Sequence, residues 1–163
     1  MKLLDKIANL AVIVGVAVFL GLVAQNEFRR PNTPNDPKAL LGKTINLPEL
    51  QFPKQRESIV LALSTTCHFC QDSLPFYKTL ATQVQGKTDL IAVFPQAGSE
   101  GRAYVERASL PVAKVISADL SSIGVYGTPT LFLIDRNGKI RGVWNGFLSQ
   151  KAQDALVAQA LKG

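Results

Sequence analysis

Cys67-His68-Phe69-Cys70 stands between a continuous apolar run, Ser58 to Ser64 (SIVLALS), and a segment whose apolar residues recur at helical spacing. An apolar run without alternation is the pattern of a strand covered on both faces. The segment after it, from about Cys67 to Val84, puts Leu74, Tyr77, Leu80, Ala81 and Val84 on one face of a helix. Thr65 and Thr66 are candidate caps for it. Pro75 predicts a kink, because it has no N–H to give the Gln71 carbonyl. The only two cysteines and the only histidine of the chain fall in those four positions. That excludes a scaffold of several disulfides, and a closed zinc site built from Cys and His alone.

The placement also points to a chemistry. A thiol at the start of a helix faces unsatisfied backbone N–H groups and the positive end of the helix dipole, and both favour the thiolate. Cys67 is therefore the attacking sulfur. Cys70 lies one turn in on the same side and can resolve a mixed disulfide formed by Cys67. Other readings of C-x-x-C are half a metal site, a haem attachment and a structural disulfide. The first would have to recruit carboxylates or a partner chain, and the second needs His where Gln71 stands. The third would be a weak staple, because stabilisation grows with loop length. A redox pair is favoured, and it needs no metal and no cofactor.

The rest of the domain reads as alternating elements. Gly42 to Phe52 suggests short strands around a turn, a peripheral hairpin. Asp89 to Phe94 is a second buried strand, Ser99 to Leu110 a helix stopped by Pro111, and Val112 to Ser117 a short strand. Asp119 caps a helical turn ending near Gly124. Thr130 to Ile134 and Ile140 to Trp144 are strands joined by Asp135-Arg136-Asn137-Gly138, a hairpin signal. Ser149 to Leu161 is a closing Ala-rich helix. Helical crossovers make the first strands parallel and the hairpin makes the last pair antiparallel. The expected fold is α/β, a mixed sheet with helices on both faces.

Leu10 to Ala24 is apolar or glycine throughout, and the stretch free of charge extends back to Ile7. Crossing a bilayer takes about 20 apolar residues, with roughly 17 as the short limit. Residues 1–24 are read as a single transmembrane anchor. A cleaved signal peptide is the rival, and it would put Leu22 where a small residue is needed. Lys2 and Lys6 before the segment balance Arg29 and Arg30 after it, so charge does not orient it. The Pro-rich stretch PNTPNDP makes residues 25–37 an extended linker, and residues 38–163 form one domain. Eighteen Lys and Arg against twelve Asp and Glu leave the chain at +6 without a basic run, which argues against a nucleic-acid partner.

CHFC, the element order and Gly127-Thr128-Pro129-Thr130 before the strand TLFLI together resemble the thioredoxin superfamily. The anchor, the apolar strand and the D-x-N-G hairpin resemble its membrane-anchored TlpA/ResA-like branch. The resemblance covers residues 40–162. It implies a thioredoxin-like fold, a cis Thr128–Pro129 bond beside the cysteines, and pairing of the Thr128 backbone with an extended substrate. It also implies thiol-disulfide exchange with protein substrates, as reductant or general exchanger, served by a membrane-embedded or other redox partner. The domain is then expected on the extracytoplasmic, periplasmic side of the cytoplasmic membrane, where disulfides form.

Departures from the pattern are specific. Thioredoxins carry a buried acid six residues before the first cysteine, where this chain has Leu61. The TlpA/ResA-like branch often has glutamate six residues after it, where this chain has Ser73. No proton acceptor for Cys70 is evident, since Asp72 projects elsewhere on the helix. His68 and Phe69 are the motif-tuning pair. A His68 cation would favour the thiolate and make the protein more oxidising, whereas a rim position would leave it a surface residue. Two alternatives differ in class. A peroxiredoxin-type peroxidase would want Pro and Thr where Val60 and Ser64 stand, and a Sco-like copper protein would want C-x-x-x-C and a distant histidine.

Overall fold

The computed structural model describes residues 13–22, 37–47 and 50–162. Residues 13–22 are helical, and their large apolar side chains, Ile13 to Leu22, are exposed. Among the described residues no helix is long and apolar enough to cross a membrane. The flanks of the expected anchor, and nearly all of the expected linker, lie outside the described residues.

The domain is a five-stranded sheet in the order β3-β2-β1-β4-β5. Its strands are β1 (Glu57–Ala62), β2 (Thr88–Phe94), β3 (Lys114–Ser117), β4 (Thr130–Ile134) and β5 (Ile140–Asn145). β1, β2 and β3 run parallel, while β4 is antiparallel to β1 and to β5. Four helices accompany them: α1 (His68–Asp72), α2 (Leu74–Gln83), α3 (Gly98–Arg107) and α4 (Gln150–Ala160). The mixed sheet and its hairpin match the sequence reading.

Strand residues divide cleanly between two cores. Ile59, Leu61 and Leu63 face Tyr77, Leu80, Tyr104, Val105 and Leu156. Val60 and Ala62 face the opposite way, toward Leu120, Ile123, Ile45 and Leu47. All of α2, α3 and α4 therefore pack on one face. The other face is closed by the 3-10 turn Leu120–Ile123 and by the chain from Leu40 to Phe52. Helices are thus found on both faces as expected, but on the second face only as the short 3-10 turn after Asp119. The cause is topological: β1, β2 and β3 advance across the sheet in one direction, so two right-handed crossovers put both their helices on the same side. The helix α3 comes close enough to β2 that a Cβ at Gly101 would lie 2.8 Å from the Phe94 ring.

Three local expectations need correction. Gly42 to Phe52 does not form a hairpin of its own in its described part. Thr44 makes an isolated antiparallel bridge with Lys139, and Ile45 and Leu47 turn inward to cover the sheet. The helix after the cysteines is broken at Ser73 rather than kinked, with Pro75 in the first turn of α2, where a missing N–H costs nothing. Its cap is neither Thr65 nor Thr66 but Cys67.

Candidate active site

The cysteines sit where the parallel strands end. The chain leaves β1, turns through Ser64 to Thr66, and enters α1 at Cys67. The Cys67 N–H donates to the Ser64 carbonyl at 3.2 Å, which holds the turn. Cys67 has extended backbone angles, and its sulfur accepts the Cys70 N–H at 3.2 Å. Sulfur takes the part that a Ser or Asp oxygen usually plays at a helix start. A sequence scan for oxygen caps misses this.

Thr128 closes the site from the other side. The Thr128–Pro129 bond is cis, and the Cys67 thiol donates to the Thr128 carbonyl at 3.3 Å. Pro129 is buried and Thr128 half-buried. The Gly146 N–H donates to the Pro129 carbonyl at 2.8 Å, tying this loop to the end of β5. The structure therefore brings together Cys67, Cys70, Thr128 and Pro129 from two regions of the chain.

The two sulfurs are unequal. Both cysteines are free thiols, Cys67 half-buried and Cys70 buried. Partial burial opposes ionisation of Cys67. Hydrogen bonds from the Cys70 thiol, from Thr128 and from the Cys70 and Phe69 backbone outweigh it and hold Cys67 below the ordinary thiol range. Burial, and then its role as donor to Cys67, push the Cys70 thiol up to about 12. One half-buried, more acidic thiol over one buried, less acidic thiol is the division of labour that exchange requires.

His68 and Phe69 occupy the rim. The His68 side chain is 80% exposed and meets Asp72 at 3.2 Å. It turns along the helix surface, and the hydrogen bonds that act on the Cys67 sulfur come from Cys70, Thr128 and Phe69 instead. Phe69 is 56% exposed, and Tyr126 and Phe147 are comparably bare. Tyr126 lies just before Gly127-Thr128-Pro129, and Phe147 follows Gly146.

One residue beside the site, Gln96, carried no functional signal in the sequence. Gln96, just past β2, donates from its side-chain nitrogen to the Ser64 hydroxyl at 2.9 Å, and its oxygen accepts the Thr65 N–H at 3.4 Å. It braces the turn from the neighbouring strand end. Its only cue was its position at the carboxyl end of a parallel strand, where sites in such sheets collect. Ser64 is thus engaged by Gln96, and Val60 lies in the core under the sheet. Among the described residues no three His, Cys, Asp or Glu side chains gather at metal-ligand spacing.

Residues 51–161 match the model of the thioredoxin-like domain. The chain belongs to that family. No curated protein sequence matches it. Among solved structures, a thiol-disulfide isomerase from Corynebacterium glutamicum superposes with a TM-score of 0.59 at 14% identity, over 76% of this chain and 93% of that one. StoA from Bacillus subtilis gives a TM-score of 0.55 at 19% identity, over 72% and 92%. A thioredoxin-family thiol:disulfide interchange protein from Chlorobium tepidum gives 0.53 at 25% identity, over 66% and 81%. Family membership and the asymmetric thiol pair together make this thioredoxin-like chain a thiol-disulfide oxidoreductase.

Proposed function

We propose that the protein is a membrane-anchored, extracytoplasmic oxidoreductase that exchanges disulfides with protein substrates, leaning toward reduction. The observation that carries the exchange chemistry is the accessible Cys67 sulfur between the Cys70 N–H and the Thr128 carbonyl. In the forward step Cys67 attacks a substrate disulfide, and one substrate sulfur leaves as thiolate. Cys70 then loses its proton and attacks the Cys67 sulfur. The second substrate thiol is released, and the chain keeps the disulfide. Two electrons pass from the protein pair to the substrate.

A protein substrate fits the surroundings better than a small thiol. Thr128 lies just before β4 begins, so its backbone is free of the strand ladder and suited to pairing with an extended segment. Phe69, Tyr126 and Phe147 are exposed and flank in sequence Cys70, the Gly127-Thr128-Pro129 loop and the Gly146 that bonds Pro129, which suits them to apolar contact with such a segment. The apolar run from Leu10 to Ala24, helical and bare where described, supports the anchor. Thiol chemistry of this kind has most use where disulfides form, which supports the extracytoplasmic side.

Substrate trapping in cells tests both halves. The Cys70→Ser chain should accumulate protein mixed disulfides through Cys67, and a membrane-impermeant maleimide added to whole cells should label Cys67. Absence of trapped species would contradict the protein-substrate reading. Labelling only after lysis would contradict the location.

A further inference from the structure

Resolution of a mixed disulfide requires Cys70 to give up a proton that it holds tightly, because its side chain is buried. The two positions at which the thioredoxin resemblance expects an acid hold Leu61 and Ser73, both buried and neither ionisable. The Ser73 hydroxyl already donates to the Phe69 carbonyl at 2.7 Å.

Two other polar groups lie in the same core. The Tyr77 side chain is 1% exposed and Tyr104 6%, and both belong to the cluster that contains Cys70. Among the described residues neither buried hydroxyl makes a well-formed hydrogen bond to protein; Ser73 comes near enough to Tyr77 to ease its ionisation slightly, and Tyr104 has no such neighbour. Such a group costs about 1–3 kcal/mol, and a Phe of the same shape would avoid the cost. Buried polar groups of this kind mark bound water or a functional role. Both rings share one packed core with Cys70, and charge on either cysteine would push the two phenols further up. Tyr104 further lines a surface pocket of about 290 Å³ with Gln71, Leu74 and Arg107, room for several waters at roughly 30 Å³ each.

We propose that the hydroxyls of Tyr77 and Tyr104, joined by buried water, carry the Cys70 proton to solvent in that pocket, in place of a buried carboxylate. The proposal rests on the reading of Cys70 as the resolving thiol. As the Cys70 S–H bond breaks, the proton passes to the nearest water or hydroxyl oxygen, and that group releases its own proton onward. The Cys70 electron pair forms the bond to the Cys67 sulfur, and the Cys67–substrate bond breaks toward the substrate thiolate. Each tyrosine ends with the proton count it began with, so neither ionises. Burial holds both phenols above their usual range, Tyr104 up to about 12, which suits a relay and not a base. The titratable groups packed around Cys70 are Cys67 from the turn, Tyr77 from α2 and Tyr104 from α3, and Arg107 lines the same pocket as Tyr104.

The reduced full chain in detergent is mixed with one equivalent of dithiobis(nitrobenzoate). A first nitrothiobenzoate reports attack by Cys67, and a second reports resolution by Cys70. The Tyr77→Phe/Tyr104→Phe chain should keep the first rate, lose about tenfold or more from the second, and need higher pH to reach half its maximal second rate. A second rate within twofold of the unsubstituted chain, or equal slowing of both phases, would overturn the relay. Should the double variant not fold, the unsubstituted chain decides in mixtures of light and heavy water. A curved dependence of the second rate, with more than one proton in flight, is expected, and a straight line would overturn the relay. A Cys70→Ser chain that still releases the second equivalent would instead overturn the resolving role of Cys70.

Discussion

The sulfur of Cys67 lies 3.3 Å from the Thr128 carbonyl oxygen and 3.2 Å from the Cys70 nitrogen, between one acceptor and one donor. The acceptor suits the thiol and the donor suits the thiolate, so the site accommodates both forms of the nucleophile. Thr128 reaches this position because β4 pairs antiparallel with β1, Ala62 opposite Thr130, which brings the start of β4 beside the end of β1.

Alkylation should separate the two thiols. Cys67, held below the ordinary thiol range by its hydrogen bonds, should react with iodoacetamide at a pH where a free cysteine is still largely protonated. Cys70, raised to about 12, should stay unmodified in the folded chain until well above pH 9. Mass mapping of the alkylated peptides over a pH series measures both. Equal rates at the two cysteines would contradict the asymmetry.

The reduced protein should lose stability on the alkaline side. Cys70 and Tyr104 have folded values raised to about 12, and Tyr77 is raised as well. For an acid raised by folding, the neutral form is the one the fold favours. The associated stability is complete below the unfolded value and is lost as pH rises toward the folded one. The urea midpoint should therefore fall between about pH 9 and 12. The Tyr77→Phe/Tyr104→Phe chain should show a shallower fall.

Leu61 has no exposed surface and packs between β1 and the helical layer. Its change to Ala should cost about 2–5 kcal/mol in unfolding free energy, the range for a core leucine. A chemical denaturation curve for the reduced chain checks it.

Glu57 is buried at the start of β1 and pairs with Arg141 of β5, with its second carboxylate oxygen unpartnered. Removing the cation leaves a buried carboxylate without its partner, which costs more than losing an exposed pair. Arg141→Met should destabilise by about 1–3 kcal/mol, less than a fully buried pair because the Arg side chain is half exposed. Adding Glu57→Gln should recover part of the loss in the same denaturation assay. By contrast, the exposed His68 and Asp72 pair should contribute about 1 kcal/mol or less.

How far the sequence carried depended on where the forces are local. β1, β2 and β4 were legible because unbroken apolar runs have no other stable home, and Asp135 to Gly138 marked the β4–β5 hairpin. The thiol pair was legible because its residue types are rare and its spacing is tied to a helix start. The Cys67 cap was not, since cap preferences rest on oxygen acceptors. Neither was the placement of α2, α3 and α4 on one face, which depends on the order in which β1, β2 and β3 pair. Ile45 and Leu47 looked like residues of a small hairpin, and they cover the sheet because the 3-10 turn at Leu120 leaves that face only partly closed. Tyr77 read as an apolar position in a helical stripe, and its buried hydroxyl shows only in three dimensions.

The most direct test is redox equilibration of the full chain in detergent across a series of dithiothreitol or glutathione poises, with thiol blocking and intact mass as readouts and Cys70→Ser as control. A single two-electron transition, in which Cys67 and Cys70 become blocked to alkylation together, is the predicted result. A potential near about −270 mV would place it with reductants, and one near about −120 mV with oxidants. Two free thiols at every poise would contradict the account.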